Sequence, residues 1–433
     1  MLTREENELL CRVGPGTAMG QLVRRFWMPA ASSAGVVAGG APKHVRLVGE
    51  DFVLFRDSTG KAGLLNELCP HRGASLTLAR NEDCGLRFIY HGWKIGVDGN
   101  VLETPSEPED STFKDRVHAV AYPTYDAGGL VWVYLGPPAL EPPRMNFDFT
   151  ELPEEQRMVV QLQIGCNFMQ PIEGVIDSAH SNFLHADTFK PTASVAVSGL
   201  RSDLKVERPS NDTRPKLDIQ NTDYGFRYAA LREPIVSPET QQYIRVTEFI
   251  APFYGMFPAN KGYGNTQAFV PIDDTHTMLY FVKYHYDRPI DAAERKMHYE
   301  WSKAVPGIDV DENYRTKRTR DNGWLQDRAA MESGASFSGI GGVQIEDSVV
   351  QESMGAIYDR TNEHLGASDI AVIRMRRLML DAARGLAHEG AAPFAVDKRN
   401  DYSDIQPLER IIPLTDNWQS LYAQQSREEV APS

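Results

Sequence analysis

His180 and His185 stand five residues apart in the run NFMQPIEGVIDSAHSNFLH, Asn167 to His185, which also carries Asp177. Two imidazoles this close could share one metal ion. On a straight helix, residues five apart point about 140° away from each other. The helix must therefore end or bend between them, and Ser181-Asn182-Phe183 allows that. Asp177 and His180, three apart, share a helix face. Taken alone, an H-x4-H pair is more often two ordinary histidines on an amphipathic helix. A second set lies upstream. Cys69-Pro70-His71 is followed, twenty residues after His71, by Tyr90-His91-Gly92-Trp93. A cysteine with histidines nearby, in a chain whose cysteines do not look paired, points to metal chemistry.

The elements that must position these residues can be read from the pattern. At 433 residues the chain is long for one domain and comfortable for two. A net charge of −14 argues against a nucleic-acid surface. No apolar run approaches the 18 or so residues of a membrane span. The N-terminal MLTREENELLCRVGPG has acidic residues and no apolar core, unlike a secretory signal. Four cysteines (Cys11, Cys69, Cys84, Cys166) in a chain this long do not look like a disulfide framework. The expected location is cytoplasmic.

Residues 3–12 read as a helix with a Thr3/Glu6 capping box, and 19–25 as a second short helix. Residues 30–42 are small and Gly/Ala-rich, like a linker. From Lys43 the period changes to two. HVRLVG, DFVLFRD, AGLLNEL, LRFIYHGW and LVWVYLG are short strand-like runs separated by turns. Beyond about residue 150 strands and helices mix. Runs at 158–164, 225–229, 243–249 and 278–282 read as strands, and 292–303 and 368–388 as helices. The expected fold is α+β: an N-terminal all-β domain, then an antiparallel sheet surrounded by helices. The expected division is a helical segment at 1–42 packing on the catalytic domain, a β domain at 43–145 and a catalytic domain at 146–433. The tail after Trp418 is polar and reads as loose.

The CPHRGA and YHGWK runs resemble a Rieske [2Fe–2S] site, in which one iron takes two thiolates and the other two histidines. The resemblance assigns Cys69, His71 and His91 as cluster ligands. The family pattern has a second cysteine three residues before the last histidine. That position is Phe88, and a phenyl ring cannot ligate iron. Cys84 is four residues further back, about 13 Å along an extended strand. The fourth ligand stays open between Cys84 after local refolding, a water or other group, and none.

Such a module followed by Asp177-x2-His180-x4-His185 resembles the Rieske non-haem iron ring-hydroxylating oxygenases. NELCPHRGASL, VPIDDTHT, DNGWLQDR and ESMGAIYDRTNEHLGASD carry the likeness across the chain, toward the phthalate dioxygenase branch. The resemblance implies a mononuclear Fe(II) held by His180, His185 and Asp347 as a two-histidine, one-carboxylate set. Glu346 is the rival ligand, standing where relatives usually carry Gln. Asp177 would join a cluster histidine to an iron histidine across a subunit interface. Asn167 and Gln170 would line the iron pocket. The implied partners are O2, an aromatic carboxylate (phthalate-, chlorobenzoate- or phenoxybenzoate-like) and a separate reductase with FMN and a plant-type [2Fe–2S] centre. The implied assembly is a homotrimer or stacked trimer. The implied reaction is NAD(P)H-dependent dioxygenation to a cis-dihydrodiol. The alternatives are a monooxygenase or O-demethylase of aromatic acids, or a paralogue with a defective Rieske site that does not turn over.

A carboxylate in an apolar cavity needs a partner, because a buried unpaired charge is costly. Arg suits it through its planar fork. Arg227 and Arg245 lie on strand-like runs, and Ser178 precedes Ala179-His180. These three are the expected substrate contacts, with Lys216 a further candidate.

Overall fold

The computed structural model describes residues 1–193, 206–259, 262–399 and 401–422. No helix among them is long and apolar enough to cross a membrane. The first helix, Arg4–Cys11, carries the Thr3/Glu6 capping box, each side chain meeting the other residue's backbone N–H. The region read as a linker is partly strand. Trp27–Ser32 pairs with Leu130–Tyr134, which also pairs with Thr124–Ala127. Pro29 and the small residues after it masked the alternation there, yet Trp27 and Met28 are fully buried.

Two four-stranded sheets form the β domain. One runs Lys43–Leu47, Glu50–Arg56, Ala62–Asn66 and Ala121–Tyr122. The other runs Arg80–Glu82, Gly85–Arg87, Lys94–Ile95 and Val101–Glu103. They enclose a small core of their own that includes Cys69, Phe88 and Trp93. The run LRFIYHGW is strand only through Arg87, and the rest is a loop.

The larger half is built on an eight-stranded sheet. Its order is Arg157–Ile164, Thr277–His285, Tyr263–Pro271, Tyr254–Met256, Gln241–Ile250, Gly225–Arg232 and Lys216–Asn221. Glu409–Pro413 pairs with Gln241–Ile250 beside that path. Every pairing in it is antiparallel. Period-two alternation sorts its side chains. On Gln241–Ile250, Ile244 and Val246 face a cluster with Trp418 and Tyr422, while Arg245 and Thr247 face the opposite side. The chain after Trp418 is therefore held as far as Tyr422, contrary to the loose tail expected from its polarity. Residues 423–433 lie outside the described part.

Candidate active site

The helix Met169–Val175 ends before either histidine. His180 opens a single 3-10 turn, His180–Asn182, and His185 follows in irregular chain. The break comes earlier than the spacing suggested, and it lets both imidazoles turn to one point. Asp347 comes from the helix Val343–Ser353, entered through Gly341 and Gly342, both at positive φ, where a Cβ would be strained. Gln170 clamps the two helices together. Its amide donates to the carbonyls of Gln351 and Gly355, and its oxygen accepts from the N–H of Tyr358. Glu173, one turn on, takes both Arg360 and Arg376. These contacts set the register of His180 against Asp347.

At the convergence, Asp347 Oδ1 lies 3.1 Å from His185 Nε2 and 3.5 Å from His180 Nε2. One ligand atom from each of the three lies within 4.8 Å of the others, close enough to hold one metal ion. Two neutral imidazoles and one carboxylate are the donor set of a mononuclear iron site with open positions. The residues fit that group.

Glu346 lies outside that group and meets His185 from its other ring nitrogen. Its Oε2 lies 2.7 Å from His185 Nδ1, and its Oε1 accepts from Ser338 Oγ at 2.5 Å. A buried carboxylate on Nδ1 fixes the tautomer that leaves Nε2 free for metal. The sequence flagged Glu346 as unusual at its position but did not reveal this role. Asp177 lies 3.5 Å from His180 Nδ1, and its carboxyl is held below the ordinary range. Burial works to raise it, and His180 together with the Ala179 and His180 amides outweighs burial.

A cavity opens over these ligands, walled by Phe257, Phe269, Leu279 and Tyr228. Arg245 and Ser178 line it. Ser178 Oγ accepts from Arg232, which is buried. Arg208 also lines it, and sequence reasoning missed it. Its guanidinium lies 3.9 Å over the Phe189 ring and donates to Ser181 Oγ and Asn182 Oδ1. Burial, then Arg245, pushes it down to about 9. Arg208 sits on a three-residue strand, Val206–Arg208, with no periodicity to mark it.

Four expected residues fall elsewhere. Arg227 faces the other side of the sheet, with its guanidinium 3.7 Å from the Tyr422 ring centroid. One strand position separates it from Tyr228, and that reverses the side it faces. Asn167 does not line the cavity. It is wholly buried and donates to the carbonyls of Cys11 and Asp274. Gln170 is the clamp described above. Lys216 is exposed at the start of the last strand of the sheet.

In the β domain, two loops bring His71 and His91 together, with ring centroids 4.4 Å apart. Trp93 stacks on His71 at 4.6 Å. Cys69 is buried, which pushes its thiol up, while the backbone N–H groups of His71 and Arg72 pull it back. His91 Nδ1 is buried with no partner. Phe88 is buried like Cys69. Cys84 is at the tip of the hairpin between Arg80–Glu82 and Gly85–Arg87, exposed, its N–H donating to Ser58 Oγ. It does not reach the loops. The loops thus offer Cys69, His71 and His91 to a group that takes four ligands. The protein residues fit the cluster incompletely.

A β domain with paired Cys/His loops, joined to a helix-flanked antiparallel sheet with two histidines and a carboxylate under a cavity, defines a two-domain non-haem iron oxygenase. Residues 26–123 match the Rieske [2Fe-2S] domain family, and residues 133–433 match the family described as LigXa C-terminal domain like. The oxygenase subunit of phthalate 4,5-dioxygenase from Pseudomonas putida is 41% identical over 98% of this chain and 95% of its own length. The oxygenase subunit of 3-chlorobenzoate-3,4-dioxygenase from Comamonas testosteroni is 33% identical over 98% of each chain. Among solved structures, dicamba monooxygenase bound to 3,6-dichlorosalicylic acid has a TM-score of 0.58 at 15% identity. It aligns with 85% of this chain and 100% of its own. The chain belongs to the Rieske oxygenases, in the branch that contains the phthalate and chlorobenzoate dioxygenase oxygenase subunits. Members of this family are oxidoreductases with a Rieske [2Fe–2S] domain and a mononuclear iron site.

Proposed function

We propose that this chain is the terminal oxygenase of a dioxygenase acting on an aromatic carboxylate, of the phthalate, chlorobenzoate or phenoxybenzoate kind. The observation that carries the reading is Arg245 and Arg208 on the wall of the cavity whose floor is His180, His185 and Asp347. The arginines pair with the substrate carboxylate and so set which ring edge faces the three ligands. Phe257, Phe269 and Leu279 enclose the ring and exclude water. His180, His185 and Asp347 hold the iron, which supplies O2 activation when bound. Glu346 keeps the His185 proton on Nδ1. Asp177 is the link between His180 and a cluster histidine of a neighbouring subunit in a homotrimer or stacked trimer. The electrons come from NAD(P)H through a separate reductase with FMN and a plant-type [2Fe–2S] centre, and the product is a cis-dihydrodiol. The chain divides into an N-terminal segment of helices and one strand at 1–42, a Rieske domain at 43–145 and a catalytic domain at 146–433. The test is aerobic incubation of the full chain with phthalate, NADH and such a reductase. A cis-dihydrodiol formed with matching O2 uptake supports the reading, and a demethylated or singly hydroxylated product overturns the dioxygenase assignment.

Phe88 favours a second reading, in which the chain binds substrate and iron but does not turn over. In that reading the three protein ligands of these loops do not hold a complete cluster. Counting acid-labile sulfide in the purified chain separates the two readings. A full complement removes the second, and none removes turnover with the reductase.

A further inference from the structure

A second cavity adjoins the iron cavity, and Phe189, Arg208, Arg245 and Phe257 line both. Its far wall holds Lys283, from the strand Thr277–His285, and His298 and Trp301, from the helix Ala292–Ser302. Lys283 Nζ lies 4.0 Å from the Trp301 ring centroid and donates to His298 Nδ1 at 3.2 Å. Among the described residues no carboxylate pairs with this ammonium. Burial pushes Lys283 down to about 7. His298, pushed down to about 3 by burial and by Lys283, is neutral. Since its Nδ1 accepts from Lys283, its proton sits on Nε2. That Nε2–H and the Trp301 Nε1–H are both buried with no partner. An ammonium with no carboxylate partner therefore stands on the wall of a largely apolar space, beside two buried N–H groups without partners. A buried donor left unmade costs about 1–3 kcal/mol, so such a set is expected to meet an acceptor. Glu409 also lines the cavity, where it already accepts from the Tyr243 hydroxyl.

We infer that this compartment binds the distal anionic oxygen group of an extended aromatic acid, whose first carboxylate lies at Arg208 and Arg245. The substrate class is thus an aromatic acid carrying a second carboxylate beyond the ring that meets the iron. The inference rests on the reading of the iron cavity as an aromatic-acid site. It adds Lys283 as the residue that selects for length and second charge.

The experiment measures dissociation constants of three probes for the iron-loaded full chain: benzoate, 3-phenoxybenzoate and 3-(4-carboxyphenoxy)benzoate. The distal carboxylate is expected to tighten binding over 3-phenoxybenzoate by about tenfold or more. Lys283→Met is expected to abolish that gain while leaving benzoate affinity unchanged, and Lys283→Arg to keep much of it. No gain in the unaltered chain, or a gain that survives Lys283→Met, overturns the compartment. So does an equal loss for all three probes in both variants, which marks a structural lysine. Failure of the unaltered chain to bind benzoate at all sinks instead the aromatic-acid reading on which the compartment rests.

Discussion

Phe88 occupies in the second loop of the Rieske domain the place that Cys69 occupies in the first. The Cys69 N–H donates to the carbonyl of Ala74 at 2.9 Å, and the Phe88 N–H to that of Trp93 at 2.7 Å. The Cys69 carbonyl accepts from Gly73 at 2.9 Å, and the Phe88 carbonyl from Gly92 at 3.0 Å. Both glycines are at positive φ, +70° and +74°. The two loops repeat one backbone design, and only the second lacks the thiol. Phe88→Cys therefore puts a sulfur where the backbone is already shaped for it. The expected outcome is a gain of iron and sulfide together with a Rieske-type EPR signal on reduction. A native chain that already holds the full sulfide complement, with no gain in the variant, contradicts this.

Glu346 Oε2 meets His185 Nδ1 at 2.7 Å and would support the proposed iron site. Loss of such a partner typically costs about 10- to 100-fold in metal affinity. Glu346→Ala is expected to lose iron in a chelator competition within that range. Glu346→Gln keeps an acceptor there and is expected to lose less. Equal behaviour of the two variants would show that the hydrogen bond does not matter.

Arg245 and Arg227 divide the two faces of one sheet. A hydrogen bond to a charged group contributes about 1.5–3 kcal/mol. Arg245→Ala is accordingly expected to weaken phthalate binding by about 10- to 100-fold, as measured by equilibrium dialysis. Arg227→Lys, on the Tyr422 face, is expected to leave it unchanged.

Glu173 is held by Arg360 and Arg376 at 2.8 and 2.7 Å. Burial works to raise its carboxyl, and the two guanidinium groups outweigh that and hold it below the ordinary range. A lowered folded-state pKa contributes stability above the unfolded value, about 4.3, that is lost as pH falls through the folded one. Removing one partner of a buried pair costs about 3–5 kcal/mol. Glu173→Ala is expected to show that loss in denaturant unfolding at neutral pH, and a smaller loss as the pH drops below 4. An unchanged difference at low pH would detach the effect from the charge.

The sequence carried much of this. The Thr3/Glu6 capping box and the alternation of Tyr243 to Phe249 follow from local pattern, while the metal-ligand set came from the likeness to a family. What escaped it depends on tertiary placement. Arg227 and Arg245 have the same strand character, and only the sheet's register puts one in the cavity and the other behind it. Asn167 has the chemistry of a pocket residue, but it is spent on carbonyls more than a hundred positions away in the chain. Arg208 has no flanking pattern at all. The Glu346 bond to His185 joins residues 161 apart, which no local rule reaches.

The central claim is one iron at His180, His185 and Asp347 beneath an aromatic-acid site, and it can be tested whether or not Phe88 spoils the cluster. The measurement is EPR of the nitric oxide adduct of the Fe(II)-loaded full chain, with and without phthalate. A high-spin nitrosyl signal that changes shape when phthalate binds, and is lost in Asp347→Ala, is the expected result. A chain that retains no mononuclear iron, or a signal that phthalate leaves unaltered, contradicts the account.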